Sequence, residues 1–360
     1  MLTKIYSPLK DKILEVLNYK GEVVNEKLVP KLDKDLLLNM YKTMMLGRIA
    51  DTKAVQYQRQ VRMLTYAPIK GQEAAQVGVL AALDKQDWMV PAFRELAGML
   101  YKGASLKQLF LYWYGNEEGN HFDKDLRILP ISVPIASQLN HAAGLAYASK
   151  LKKKNEVVVA YVGDGGTSHG EFHEAVNFSA VFDLPVIFII QNNQWAISTP
   201  RSIQSKAKTF AHKAIGYGIE GIQVDGNDPL AMYIATKEAK ERALNGEGPT
   251  LIEALTYRLG PHTTSDDPSI YRNNEEVSYW EERDPITRFR IYLINQGHWT
   301  IDEDSELEKE YNAYVNEVFK EVEQTGLVPL DEVFKYNYET LTDDLKKQLD
   351  EYKEYLKEAK

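Results

Sequence analysis

Cysteine is absent from the 360 residues of this chain. That excludes disulfides, thiolate zinc sites and cysteine nucleophiles, and it fits a reducing compartment. No apolar run approaches the ~18 residues that a membrane span needs; the runs present, such as Val157 to Val162, are of strand length. The first residues, MLTKIYSPLKDK, carry no apolar signal core, which argues against secretion and for a cytoplasmic location. No lysine- or arginine-rich block of the kind that tracks nucleic acid is present, and there is no internal repeat or low-complexity tract.

What is there is an ordinary globular mixture, 44% hydrophobic and 26% charged. The length suits one large α/β domain with appendages, or two domains, and at this size roughly 75% of the unfolded chain's surface can be buried without staples. The net charge of −9 is uneven: residues 301–360 hold 18 acidic and 8 basic side chains, so the body is close to neutral. An anionic ligand would therefore need a local site, because no global field recruits it.

Residues 1–35 read as an irregular lead-in with a short hairpin around Gly21 to Val24. Helical spacing appears over 35–62, with Leu36, Leu37, Met40, Met44, Leu46 and Ile49, again over 72–83, and over 105–113 after Ser105 as an N-cap. The run Val157 to Val162 reads as a strand, about 171–181 as a helix, and Val186 to Ile190 as a second strand. Both runs are apolar on both faces, as buried parallel strands are. Gly221 to Gly226, a helix near 229–244, and Thr250 to Thr256 continue the alternation. The pattern predicts an open, doubly wound parallel sheet. The last sixty residues read as mostly helical. Leu341, Leu345, Leu349, Tyr352 and Leu356 form one face of a final helix capped by Thr342, a face that packs either on its own domain or on a partner.

In such a sheet, ligands sit beyond the carboxyl ends of the strands. Two of the predicted strands end in Asp164 and in Asn192-Asn193. If they are neighbours, a carboxylate and amide oxygens share one crevice, a hard-oxygen set suited to Mg²⁺, which completes its octahedron with phosphate and water. Gly165-Gly166 before a helix offers backbone N–H groups to a phosphate. A dinucleotide site fits poorly: Gly163 to Ser168 breaks the GxGxxG pattern at its sixth position, and no acid ends the next strand. His169 and His173, with Glu171 between them, mimic a zinc helix, but Gly170 stands where the HExxH acid belongs.

Gly163-Asp164-Gly165, then 26 residues, then Asn192-Asn193 resembles the thiamine diphosphate motif. The surrounding run GDGGTSHGEFHEAVNFSAVFDLPVIFIIQNNQWAIS resembles the alpha subunit of the decarboxylase component of 2-oxo acid dehydrogenase complexes, most of all the bacterial pyruvate dehydrogenase type. GEVVNE (21–26), YAPIKGQEA (66–74), PAFREL (91–96), GIQVDGNDPLA (221–231), NGEGPTLIE (245–253) and YRLGPHTTSDDP (257–268) extend the likeness over nearly the whole chain.

The resemblance implies a thiamine diphosphate-binding fold with helical extensions: residues 1–45 as an N-terminal extension, 46–300 as the diphosphate-binding domain and 301–360 as an acidic helical segment. It implies thiamine diphosphate and Mg²⁺ as cofactors. Asp164, the Asn193 side chain and the Trp195 carbonyl would hold the metal. Gly163, Gly165 and Gly166 would meet the diphosphate, and Arg94 would clamp it. Phe93 stands where the family commonly has tyrosine. Val133, in a place where glycine is frequent, and Ile135 would lie along the aminopyrimidine. Arg258 would also reach the diphosphate. His262 would move protons, with a near-neutral pKa, from a loop that is mobile until cofactor binds. Tyr66 to Gln72 would border the substrate pocket.

The implied activity is oxidative decarboxylation of pyruvate with reductive acetylation of a lipoyl group. The implied partners are a beta subunit in an α2β2 heterotetramer, and the lipoyl domain and peripheral-subunit-binding region of the dihydrolipoyl acyltransferase. A branched-chain 2-oxo acid or acetoin dehydrogenase alpha subunit, and a non-catalytic scaffold of the same fold, are the competing readings.

Overall fold

The computed structural model describes residues 1–326 and 328–358. Five strands, β1 (Trp88–Val90), β2 (Val158–Gly163), β3 (Val186–Asn192), β4 (Glu220–Asp225) and β5 (Thr250–Leu255), form one sheet in the order β1-β2-β3-β5-β4. Every pairing in it is parallel. The helices Ser137–Leu151 and Gly170–Val181 connect β1 to β2 and β2 to β3, and they pack on each other. The helix Pro229–Leu244 connects β4 back to β5, packing instead against the helix Glu73–Ala81. With right-handed crossovers, a reversal of strand order sends the connecting helix to the other face, and this is the predicted double winding.

Period-2 alternation divides the strands between two cores. Val157, Val159 and Tyr161 join Ile187 and Ile189 in the larger core, while Val158, Ala160 and Val162 join Phe188 and Ile190 in the smaller one. All ten are essentially inaccessible to water. Each large side chain buried this fully contributes about 1.5–3 kcal/mol of transfer free energy, and the double-sided burial pins the register of β2 against β3.

The lead-in is fastened along the sheet edge. Leu14 bridges Val224 of β4 in parallel, and the Val16 and Leu17 N–H groups both donate to Asp228 Oδ2 at 2.7 Å. The short hairpin is present as the Leu17–Val23 bridge, with Gly21 at φ +74°. The long helix Lys34–Arg59 begins at Asp33, whose side chain accepts from Leu36 N, and runs without a break through residues 45 and 46. The helix Leu106–Tyr114 has the predicted Ser105 cap.

Several elements have no counterpart in the sequence reading, among them the helices Leu96–Lys102, Asn274–Glu281 and Pro285–Asn295, strand β1 and the helix Ser137–Leu151. Strand β1 is three residues long, below any readable period. The helix Ser137–Leu151 buries mostly small residues, Ala142, Ala143 and Ala146, so its apolar stripe is faint.

The C-terminal sixty residues divide in two. The helix Ile301–Glu323 is part of the body: Phe319 stacks on Tyr57 with centroids 3.7 Å apart, and Asp304 receives the Tyr41 hydroxyl. The helices Leu330–Lys335 and Asp343–Glu358 pack on each other, and in the latter only Leu349 is buried. Tyr352 and Leu356 of the predicted apolar face are exposed.

Candidate active site

Four neighbouring parallel strands, β1, β2, β3 and β5, point their carboxyl ends at one cavity of about 240 Å³. Just beyond those ends stand Arg94, Asp164, Asn193 and Arg258, and all four line it. Residues as much as 164 positions apart, Arg94 and Arg258, thus converge because the sheet is parallel throughout.

Strand β2 ends at Gly163 and enters a tight turn, Asp164–Ser168, closed by Thr167 Oγ1 donating to the Asp164 carbonyl at 2.8 Å. A Cβ on Gly165 would lie 2.8 Å from the Ala196 Cβ, and one on Gly166 would run into the Val162 side chain. Only glycine lets this turn pass so close to its neighbours. Asp164 is buried, and its Oδ2 has no hydrogen-bond partner. Burial pushes its carboxyl up to about 7, against the lowering effect of its own and the Gly165 backbone amides and of Arg258. An unpartnered buried carboxylate oxygen is costly unless a cation joins it.

Strand β3 ends in two asparagines with different fates. Asn192 turns into the protein and donates to Glu253 Oε1 at 2.7 Å. Asn193 lines the cavity; its Nδ2 donates to Gln72 Oε1 at 3.0 Å and its Oδ1 accepts from Trp195 N at 3.2 Å. The Trp195 carbonyl accepts from Arg258 Nη1 at 3.3 Å.

The same cavity is lined by two buried arginines. Arg94 is buried, with Nη1 donating to the Pro68 carbonyl at 2.8 Å and Nη2 to the His262 carbonyl at 2.6 Å. Its Nη2 also lies 2.8 Å from His262 Nδ1, and the Phe93 ring lies 5.2 Å from its guanidinium carbon. Arg258 is fully buried and donates from Nη2 to the Ile197 carbonyl at 2.8 Å and to the Tyr271 hydroxyl at 2.9 Å. Burial and the facing Arg258 bring Arg94 down to about 10. Arg258 is lowered as well, by burial and by Arg272, and two buried guanidiniums lining one cavity call for an anion.

A carboxylate and an amide oxygen for a hard cation, a glycine turn that a ligand can approach closely, and two arginines for an anion fit a metal-bound diphosphate. Among the described residues no cluster of three or more His, Asp and Glu side chains exists, so the donor set is one carboxylate with neutral oxygens. His173 is engaged by the Tyr217 hydroxyl, and His169 lines the cavity.

The dehydrogenase E1 component family matches residues 41–330. The chain belongs to that family. It is 57% identical over 342 residues to the pyruvate dehydrogenase E1 component subunit alpha of Acholeplasma laidlawii, covering 94% of this chain and 99% of that one. It is 44% identical to the protein of the same name from Staphylococcus aureus strain Mu50, over 98% of this chain and 95% of that one. The Bacillus subtilis strain 168 protein of that name is 41% identical, over 94% and 91%. The family is a thiamine diphosphate-dependent one.

Of the residues the resemblance proposes for an E1 site, twelve line the cavity: Gln72, Phe93, Arg94, Ile135, Gly163, Asp164, Gly165, Gly166, Asn193, Trp195, Arg258 and His262. Two do not. The Val133 side chain is 52% exposed, outside the cavity, next to Ile135. Tyr66 is buried beneath the cavity wall, its hydroxyl donating to Asp51 Oδ1 at 2.8 Å. Its backbone holds the His262 loop instead: Thr264 N donates to the Tyr66 carbonyl at 3.0 Å, and Tyr66 N to Thr264 Oγ1 at 3.2 Å.

His262 departs from the near-neutral expectation. Burial, then Arg94, then Arg258 push its imidazole down to about 4. Guanidinium N–H groups only donate, so Nδ1 is the acceptor and the ring proton resides on Nε2. The loop is also fastened rather than free, because His262 N donates to Asp266 Oδ2 at 2.7 Å and Arg94 holds the His262 carbonyl.

Sequence reasoning passed over Glu95, Gln138 and Gln191, which also line the cavity. Glu95 is buried and accepts from Gln191 Nε2 at 2.5 Å; burial pushes its carboxyl up to about 7. Its one signal is an acid beside Arg94 at the start of an apolar helix, which reads equally well as a surface pair.

Proposed function

We propose that this chain is the alpha subunit of a pyruvate dehydrogenase of the acetyl-transferring type. It decarboxylates pyruvate and reductively acetylates a lipoyl group, together with a beta subunit, in the cytoplasm. Residues 46–300 carry the site, and the unbroken helix Lys34–Arg59 and the packed helix Ile301–Glu323 join the flanking segments to them. The observation that carries the reading is the unpartnered Asp164 Oδ2 in a cavity lined also by Asn193, Trp195 and two buried guanidiniums. The names of its relatives favour pyruvate over a branched-chain 2-oxo acid or acetoin.

Asp164, Asn193 Oδ1 and the Trp195 carbonyl would hold Mg²⁺, which needs few protein ligands when phosphate supplies the rest. The Gly165 and Gly166 amides and Arg258 would meet the diphosphate. Arg94 would face the same charge while keeping His262 in place. Bound thiamine diphosphate supplies the nucleophilic carbon and the electron sink. The His262 Nε2–H is the donor this chain can offer to a developing oxyanion or to an opening dithiolane. Ile135, 41% exposed at the cavity edge, would brace the cofactor on the side open to the beta subunit. The lipoyl domain and the peripheral-subunit-binding region of the acyltransferase would meet the assembled heterotetramer.

Co-expression with the natural beta subunit and a ferricyanide-coupled assay over pyruvate, branched 2-oxo acids and acetoin tests this. Turnover of pyruvate is expected from the pair and none from the isolated chain; preference for another substrate would replace pyruvate. Asp164→Asn is expected to weaken Mg²⁺-dependent thiamine diphosphate binding more than tenfold, about 1.4 kcal/mol. The cofactor-free protein should not melt earlier, since the exchange removes an uncompensated buried carboxylate. Unchanged affinity in calorimetric titration would remove Asp164 from the metal site.

A further inference from the structure

Gln72 is completely buried and stands just before the helix Glu73–Ala81, yet its side chain does not cap that helix. Its backbone is fixed from three directions. Thr256 Oγ1 donates to the Gly71 carbonyl at 2.8 Å, Gly71 N donates to Glu73 Oε2 at 3.0 Å, and Gln72 N donates to the Ile69 carbonyl at 2.9 Å. Gly71 has φ +96°, and a Cβ there would strike the Tyr257 carbonyl oxygen, so the turn delivering Gln72 tolerates only glycine. A residue held this firmly sets its side chain on the cavity wall.

Asparagine and glutamine each present an oxygen on one side and two N–H donors on the other. Only the oxygen of Asn193 can face a cation. Gln72 Oε1 takes an N–H of Asn193 Nδ2 at 3.0 Å, while Trp195 N takes one lone pair of Asn193 Oδ1 at 3.2 Å, leaving a second lone pair free. A flipped Gln72 would set donor against donor. If Asn193 followed, it would lose the Trp195 N–H and turn its own N–H groups toward the cation. The correct orientation has a consequence for Gln72: its Nε2 is buried with no partner. Such a donor needs an acceptor, and a cavity wall flanked by arginines is where an anionic oxygen would come.

Resting on the cofactor reading above, we infer that Gln72 is a positioning residue that locks Asn193 with its oxygen toward the divalent cation. It then gives its free amide to a diphosphate oxygen of the metal-bound ligand. This differs from the substrate-pocket role that the resemblance suggests.

The test uses the reconstituted heterotetramer, with calorimetric titration of thiamine diphosphate at saturating Mg²⁺ and thermal melts of the cofactor-free protein. Gln72→Met, similar in volume but without acceptor or donor, is expected to lower affinity more than tenfold. The fold-loss should be smaller in an Asn193→Ala background, because there Gln72 has no amide left to orient. Gln72→Glu keeps an oxygen for Asn193 Nδ2 and supplies a second variant should the Met form not fold. It too should lose more than tenfold, since an acceptor replaces the donor facing the diphosphate. The cofactor-free melt of Gln72→Met should change little, because it trades the unpartnered Gln72 Nε2 for an unpartnered Asn193 Nδ2, a result that a merely structural role would not give. Affinities within twofold of the unmodified protein, or equal fold-losses in both backgrounds, would overturn the role of Gln72. Failure of the unmodified heterotetramer to bind thiamine diphosphate would overturn the cofactor reading itself.

Discussion

On one side of the cavity, Asp164 and Asn193 sit immediately after β2 and β3, strands buried on both faces and paired over six residues. On the other side, His262 lies seven residues beyond the end of β5, in a segment without regular structure, held by Arg94, Asp266 and the backbone of Tyr66. The first wall takes its geometry from apolar packing and sheet register. The second takes its geometry from a handful of polar contacts between residues as much as 198 positions apart. Metal ligands tolerate little displacement, whereas a group that must approach and leave a reacting carbon has to move. The stiffer construction stands where ligation is proposed, and the looser one where proton movement is.

The sharpest way to separate the walls is to delete the imidazole. His262→Ala leaves the Arg94 bond to the residue 262 carbonyl and the Asp266 bond to its N–H in place. The loop should keep its course, and thermal stability should change little. Turnover in the reconstituted heterotetramer should fall by ~10²–10⁴-fold, the range for a positioned acid–base group. Reductive acetylation of a lipoyl domain should suffer at least as much as decarboxylation, because the dithiolane needs a proton as it opens. Near-normal overall rates would move His262 to a structural role.

The next effect lies beneath the strand-end wall. Glu95 is fully buried, and burial raises its carboxyl from an ordinary value of 4.5 to about 7. The folded protein therefore holds this proton more tightly than the unfolded chain. The stability contributed by the neutral acid is complete below pH 4.5 and is lost as the pH climbs to about 7. A rise of this size corresponds to roughly 3 kcal/mol at 1.36 kcal/mol per pKa unit. Glu95→Gln has no proton to lose, so its melting temperature relative to the unmodified protein should climb between pH 5 and pH 7.5. Parallel melting curves at both pH values would show that Glu95 is already ionised in the fold.

The same contrast explains what the sequence could reveal. Strands β2 and β3 are legible because β-branched runs stop at Gly163-Asp164 and Asn192-Asn193, and the donor set follows once the two are neighbours. Strand β1 and the alanine-rich helix Ser137–Leu151 leave little trace, being too short in one case and too small in side chain in the other. The pairing of Arg94 with His262 spans 168 positions and has no local signature, so neither the fastening of the loop nor the depressed imidazole could be read. Burial was the other blind spot. Glu95 beside Arg94 looks like a surface ion pair until both are seen to be enclosed. Of Asn192 and Asn193, the one that turns away from the cavity is held by Glu253, 61 positions further on.

The smallest effect is the most selective probe of the looser wall. Thr264 Oγ1 accepts the Tyr66 N–H at 3.2 Å, while the Thr264 N–H donates to the Tyr66 carbonyl. Thr264→Ala removes the first bond and keeps the second. Thr264 is only half-buried, so water can replace the lost acceptor, and the cost should stay within the ~0.5–1.5 kcal/mol of an ordinary hydrogen bond. Global melting should barely move, because the loop adds little to either core. Amide hydrogen exchange is the right measurement, since it resolves local opening from global unfolding. Exchange over residues 259–268 should quicken by up to about tenfold, the equivalent of 1.4 kcal/mol. Exchange at Val162, Gly163 and Ile190 to Asn192 should be unchanged, because their amides answer to the sheet. Equal acceleration in both places would mean that the two walls open as one unit, and the distinction between a packed wall and a fastened one would fail.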